Sequence, residues 1–334
     1  MDFLRNWRMS GLLLCLAFSG GFSLAGEKPI PLQKVRLMTA WFPQSQFAGY
    51  YVAVDQGIYK KYGLDVEIIS GGPDKDQGIY LQTGKTDFAI SWLAPAMVNR
   101  EKGIPMVLVG QVMERSNLAL VGWKERGIRC LNDLQGRRVS LFQGWPRPSM
   151  YAFLRAQNLD VELVPQYFTM DLFLRRGVDV ASVMTYNEYN MLYLSGVDAS
   201  ELTLIRLSDL GFVFPEDGIY TLDKTLSENP EMTRKLVAAT KEGWEFSRNK
   251  PELALASVMK RVNEDHLPTN ITHMKMMLEE ILASIFPEGK NGKHAGKLSM
   301  EDFESCAKQM KDASLLNALP VYEQMVYPGA RYAP

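Results

Sequence analysis

Residues 35–69 read VRLMTAWFPQSQFAGYYVAVDQGIYKKYGLDVEII, and their order decides the fold class. Val35–Ala40 reads as a strand, Ala48–Gln56 as a helix stopped by Gly57, and Val66–Ile69 as a second strand. Short apolar strands alternating with helices are the pattern of an α/β fold. The pattern continues outward. Phe88–Ser91 is a third strand, followed by a helix from Pro95 to Lys102, and Met106–Val112 and Leu118–Val121 are strands with no room for a helix between them. A second α/β set begins near Leu131, with strands at Arg138–Leu141, Val180–Met184 and Leu202–Ile205 and helices at Ser149–Gln157 and Asn187–Leu194. After a strand at Ile219–Leu222 the character changes, and 230–249, 251–265, 270–285 and 299–313 are all helical. Pro230 and Pro251 stand at helix starts, where a missing N–H does no harm.

The chain has 334 residues, 46% hydrophobic and 22% charged, with a formal net charge of −1. That length is enough for two domains, and the composition excludes disordered, collagen-like and coiled-coil classes. Near-neutrality argues against a nucleic-acid binder. The first 25 residues differ from the rest. Arg5 and Arg8 precede an apolar run from Met9 to Phe18 and a small-residue site ending Ser23-Leu24-Ala25, the order of a secretory signal. The run is short for a membrane span, and Leu14 before Cys15 is too large for lipoprotein processing. Export with cleavage after Ala25 is expected. Cys130 and Cys306 then remain; one optional bridge is no disulfide framework, and both are expected as unpaired, buried thiols.

Several motifs dissolve on inspection. Gly78 to Thr86 imitates a phosphate-binding loop, but it has one residue too many before Gly84-Lys85, and a strand rather than a helix follows. His266, His273 and His294 have no metal-ligand spacing and are expected to be solvated, so no metal site is expected. Glu279-Glu280 and Glu216-Asp217 read as surface acids, and Met274, Met276 and Met277 as core. No nucleophile, base and orienter come together, so no catalytic residue and no cofactor are expected.

Aromatic residues at strand ends are more informative. Trp41 follows the first strand and Trp92 the third, Trp145 follows Arg138–Leu141, and Tyr186 and Tyr189 follow Val180–Met184. Ligands of open α/β sheets bind outside the carboxyl ends of strands, where rings offer flat apolar faces. A cleft for a planar ligand is expected there. Two readings suit Glu188. It would accept N–H bonds from an amino-substituted heterocycle, or it is an acid in a helix's first turn, favoured by the dipole.

Longer runs carry a resemblance. They are Trp41-Phe42-Pro43, Ala48 to Ala53, Gln56 to Tyr59, Tyr62 to Val66, Gly71-Gly72-Pro73, Thr83 to Ser91 and Asp133 to Val139. Together they resemble the ABC-transporter solute-binding proteins for thiamine pyrimidine precursors, relatives of sulfonate and nitrate binders, over residues 34–285. The resemblance implies a periplasmic binding protein type II fold, with two α/β lobes joined by a two-segment hinge. Residues 26–121 with 213–334 would form lobe one, and 122–212 lobe two. It implies a non-enzymatic periplasmic monomer that hands a formylamino- or hydroxymethyl-aminopyrimidine to an inner-membrane ABC permease with its ATPase. Trp41 and Tyr50 would form one wall over Trp92, with Trp145, Tyr186 and Tyr189 closing the other face; Glu188, Asn187, Ser91 and Gln143 would supply hydrogen bonds. Riboflavin, an organic sulfonate held near Arg147, or a role presenting ligand to a sensor kinase are the alternatives. The family also contains a fungal synthase that consumes its own histidine; Phe47 occupies the matching position here, and the enzyme's cysteine-rich run matches Leu210 to Glu216, which has no cysteine.

Overall fold

The computed structural model describes residues 31–113, 116–144, 146–287 and 296–331. The export signal, Trp145 and His294 lie outside these residues. Among the described residues, ten strands form two five-stranded sheets. The first contains β1 (Gln33–Met38), β2 (Leu64–Ile69), β3 (Phe88–Ser91), β4 (Met106–Gln111) and β10 (Gly218–Leu222), in the order β2-β1-β3-β10-β4. The second contains β5 (Leu118–Trp123), β6 (Arg138–Phe142), β7 (Glu162–Gln166), β8 (Val180–Met184) and β9 (Leu202–Arg206), in the order β7-β6-β8-β5-β9. Each sheet is mixed. In the first, β10 runs antiparallel to β3 and β4, and in the second, β5 runs antiparallel to β8 and β9.

Helices cover both sheets: α1 (Ala48–Asp55), α2 (Ile58–Lys61), α3 (Gln77–Gln82), α4 (Leu93–Glu101), α5 (Arg147–Ala156), α6 (Asp171–Leu174), α7 (Asn190–Leu194), α8 (Asp223–Glu228), α9 (Pro230–Asn249), α10 (Pro251–Glu264), α11 (Ile271–Ile285), α12 (Met300–Asp312) and α13 (Tyr322–Met325). Every residue of β4 and β5 is buried, the pattern of strands covered on both faces. At the open edge of β4, the Tyr327 N–H donates to the Leu108 carbonyl, so the C-terminal segment covers what would be an unpaired strand.

The crossing between lobes falls between Gln111 and Leu118, not near 121, because the whole of β5 pairs within the second sheet. This explains two successive strands with no helix between them: they belong to different sheets. A return crossing links β9 to β10. The two crossings are stitched together by the Val112 N–H, 2.9 Å from the Asp217 carbonyl, and by the Gln111 amide, which donates to the Glu216 carbonyl.

One strand has no counterpart in the sequence reading, and three further expectations need correction. β7 carries Pro165, yet it pairs with β6 as an edge strand, where proline is tolerated. The helix expected from Asn187 is a π-helical turn over Thr185–Tyr189 leading into α7. His273 is buried rather than solvated, and burial lowers its pKa. Cys130 and Cys306 are both free, but Cys130 is exposed.

Candidate functional site

The carboxyl ends of β1, β6, β7 and β8 converge on a cleft between the lobes with a volume of about 320 Å³. Trp41 follows β1, Phe142 and Gln143 end β6, Tyr167 and Phe168 follow β7, and Met184 to Glu188 follow β8. Trp41, Phe142, Tyr167, Phe168 and Tyr186 contribute rings, and among the described lining residues there is no Lys, Arg or His. Arg147 is exposed and does not line the cleft.

The π-helical turn after β8 places Glu188. Such turns widen the backbone by one residue and are frequent at functional sites. Glu188 reaches back to accept the Met184 N–H and the Asn187 amide, both at 2.9 Å, which holds its carboxyl in the cleft wall. It is buried, and burial pushes its pKa up to about 7 against the pull of those donors.

Behind the wall lie two more carboxyls. Asp217 accepts the Gln46 amide at 2.9 and 3.0 Å and the Trp92 indole N–H at 3.0 Å. Gln46 lines the cleft and in turn accepts from Gln44 at 2.6 Å, so a chain of hydrogen bonds runs from Asp217 to the cleft surface. Glu216 accepts the Asn117 N–H at 2.5 Å, the Asn117 amide at 2.9 Å and the Ser116 hydroxyl at 3.1 Å. Burial pushes Glu216 up to about 8 and Asp217 up to about 7. After burial, the charges of Glu216, Asp217 and Glu188, in that order, help hold the buried Tyr186 phenol well above its ordinary pKa, so all three act on one face of the cleft. The reading of Glu216-Asp217 as surface acids is overturned: they precede β10 in extended backbone, not on a helix, and both point inward.

The structure brings Trp41, Gln143, Tyr186, Asn187 and Glu188 to this cleft. It does not bring the others. Tyr50 is fully buried and packs edge-on against Trp244, with ring centroids 5.7 Å apart, because it faces the α1–α9 interface. Trp92 and Ser91 are buried beneath the floor rather than on it. Tyr189 turns away to pack on Tyr193 at 4.8 Å, since the π-turn rotates it off the face that carries Tyr186. Trp145 lies outside the described residues. Sequence reasoning missed Phe168 and Tyr167, though they obey the same rule as Trp41: they follow a strand whose proline had hidden it.

Two mixed sheets, joined by paired crossings around an interlobe cleft, define the periplasmic binding protein class. The aliphatic sulphonate binding protein SsuA of Escherichia coli shares this fold, with a TM-score of 0.68 at 15% identity over 90% of this chain and 94% of that one. The chain belongs to the NMT1/THI5-like family, whose signature matches residues 44–254. Its relatives include the riboflavin-binding protein RibY of Chloroflexus aurantiacus, 26% identical over 75% of this chain and 72% of that protein. The formylaminopyrimidine-binding protein of Halalkalibacterium halodurans is 24% identical over 88% and 90% of the two chains. The 4-amino-5-hydroxymethyl-2-methylpyrimidine phosphate synthase of Legionella pneumophila is 21% identical over 66% and 71%.

Proposed function

We propose that this chain is a non-enzymatic, extracytoplasmic solute-binding protein that captures a small planar aminoheterocycle and presents it to an ABC permease. A thiamine pyrimidine precursor, formylamino- or hydroxymethyl-aminopyrimidine, is the ligand that best fits. The carrying observation is the pairing of aromatic walls with a buried acceptor, Glu188, in a cleft whose described lining holds no cation. A ring with exocyclic N–H groups stacks on Trp41 and donates to Glu188 as a charge-assisted bond. A sulfonate would meet acids and no basic partner, which disfavours the anion alternative.

Family relatives divide between binding proteins and a synthase, and two positions favour binding here. Phe47, which stands where the synthase's histidine is expected, is fully buried against Tyr50 and Tyr51. The stretch Leu210 to Glu216 brings no thiol to the site. The secretory pattern of the first 25 residues supports a periplasmic location.

A calorimetric screen with aminopyrimidines, riboflavin and alkanesulfonates tests the reading. Saturable binding of an aminopyrimidine is the expected result. A response to riboflavin or a sulfonate, with none to any aminopyrimidine, would refute the ligand assignment.

A further inference from the structure

We propose that Phe168 is the closing residue of the cleft, an aromatic latch that sets how long a bound solute stays. Its consequence for ligand release rests on the solute-binding reading, whereas its geometry does not.

Phe168 follows the edge strand of the second sheet, and its ring meets two rings that follow β1 of the first. The centroids lie 5.7 Å from Trp41 and 6.0 Å from Phe42, tilted by 49° and 55°. Trp41 and Phe42 themselves pack at 5.5 Å. All three separations fall in the range where aromatic pairs attract. Phe168 remains 48% exposed, and among the described residues its ring meets Trp41 and Phe42 across the mouth and Tyr167 beside it at 6.3 Å.

The position matters as much as the contact. Hinge closure turns one lobe against the other about the crossings, which enter the second sheet at β5 and leave it at β9. β7 stands three places from β5 in that sheet, roughly 14 Å away at the usual strand spacing. A contact at the far end of the lever travels furthest on opening. It is therefore made last on closure and broken first on release. The backbones also come near each other across this mouth: a Cβ added at Gly144 would stand 3.7 Å from the Pro73 carbonyl.

Three variants test this: Phe168→Ala, Phe168→Tyr, which keeps the ring, and Leu163→Ala, which trims an exposed residue of β7 outside the cleft. Stopped-flow release of a hydroxymethyl-aminopyrimidine is expected to be about tenfold faster in Phe168→Ala, a change of about 1.4 kcal/mol. Capture is expected to stay within about twofold, since affinity changes reside mostly in release. Phe168→Tyr and Leu163→Ala should release at close to the parent rate. Small-angle scattering of the ligand-free proteins provides a readout independent of any ligand. Phe168→Ala should show a larger radius of gyration than the parent, with an unchanged thermal midpoint. An unchanged radius, or release equally fast in the Tyr and Ala variants, overturns the latch. If no aminopyrimidine binds the parent, only the ligand assignment fails, and the scattering result still decides the latch.

Discussion

Replacing Glu216 with alanine should cost more stability than any other single change near the cleft. The side chain braces the two crossings: its carboxyl takes the Asn117 N–H, the Asn117 amide and the Ser116 hydroxyl, while Asn117 also accepts from Ser284 of α11 at 2.8 Å. Removing it takes an acceptor from the buried Asn117 N–H and leaves the Asn117 amide to the weak Met113 sulfur at 3.9 Å, each donor being worth about 1–3 kcal/mol when unsatisfied. Against this stands relief of a buried acid, whose pKa burial pushes up to about 8 despite the donors from Asn117 and Ser116. Glu216 is mostly protonated at neutral pH, so what is lost is hydrogen bonds to neutral donors rather than an ion pair, and two such donors leave a net cost of about 3–5 kcal/mol. Urea titration of the ligand-free protein at neutral pH should therefore show a loss of about 3–5 kcal/mol, and calorimetry a fall in Tm of roughly 6–10 °C. Glu216→Gln keeps one acceptor but turns an amide toward the Asn117 donors, so it should lose about half as much. If Glu216→Ala were neutral or stabilising, burial would outweigh the three hydrogen bonds, and the bracing argument would be wrong.

Three other outcomes are expected. Glu188→Gln keeps shape and an acceptor for Met184 but removes the charge, so calorimetry should show aminopyrimidine affinity weakened by about 10–100-fold, from about 1.5–3 kcal/mol for a charged hydrogen bond; affinity within twofold of the parent would remove Glu188 from recognition. Gly243→Ala should cost about 3 kcal/mol in urea, because its new Cβ would stand 2.3 Å from the Gly49 carbonyl where α9 crosses α1; a neutral result would mean the helices part freely. Stability should fall between pH 6.5 and about 8.5, since Glu188, Glu216 and Asp217 are pushed up to about 7, 8 and 7, and so stay protonated in the folded state after their unfolded counterparts have ionised. The effect is up to about 3 kcal/mol, measured above the range where buried His273 acts with the opposite sign; a Tm that rises across this window would contradict it.

Much of the fold was legible because its strands are covered and its helices are punctuated. Runs such as Met106–Gln111 are apolar throughout, and prolines and glycines mark the helix limits. What escaped was decided by pairing partners. β7 has charge, proline and little burial, so only its place beside β6 makes it a strand. The rings after it were lost with it. Local strand-exit logic, which requires only that a strand be recognised, pointed to Trp41, Tyr186 and Glu188, while Gln143 and Asn187 came with the resemblance; all five line the cleft. Tyr50 failed because a helix has two faces, and residue type alone does not say which one meets α9. Glu216 and Asp217 failed for a different reason. A pair of acids is usually solvated, and nothing local announces that Asn117, Gln46 and Trp92 will supply donors from elsewhere in the chain.

These buried acids bear on selectivity more directly than the rings do. Flat walls of Trp and Phe accept any planar solute, so they choose shape and leave charge open. A sulfonate is anionic at every physiological pH and would have to enter beside Glu188 with no cation among the described lining residues. Neutralising the acid by protonation would spare the repulsion but still give that anion no positive partner. An aminoheterocycle faces the opposite balance. Its N–H groups satisfy a carboxylate that already has two protein donors and spare acceptor capacity, and its ring nitrogen can take up the proton that Glu188, near pH 7, is ready to release. The fold shared with SsuA leaves ligand preference open; on the proposed reading it is set by the sign of the few charges at the strand ends, negative among the described lining residues.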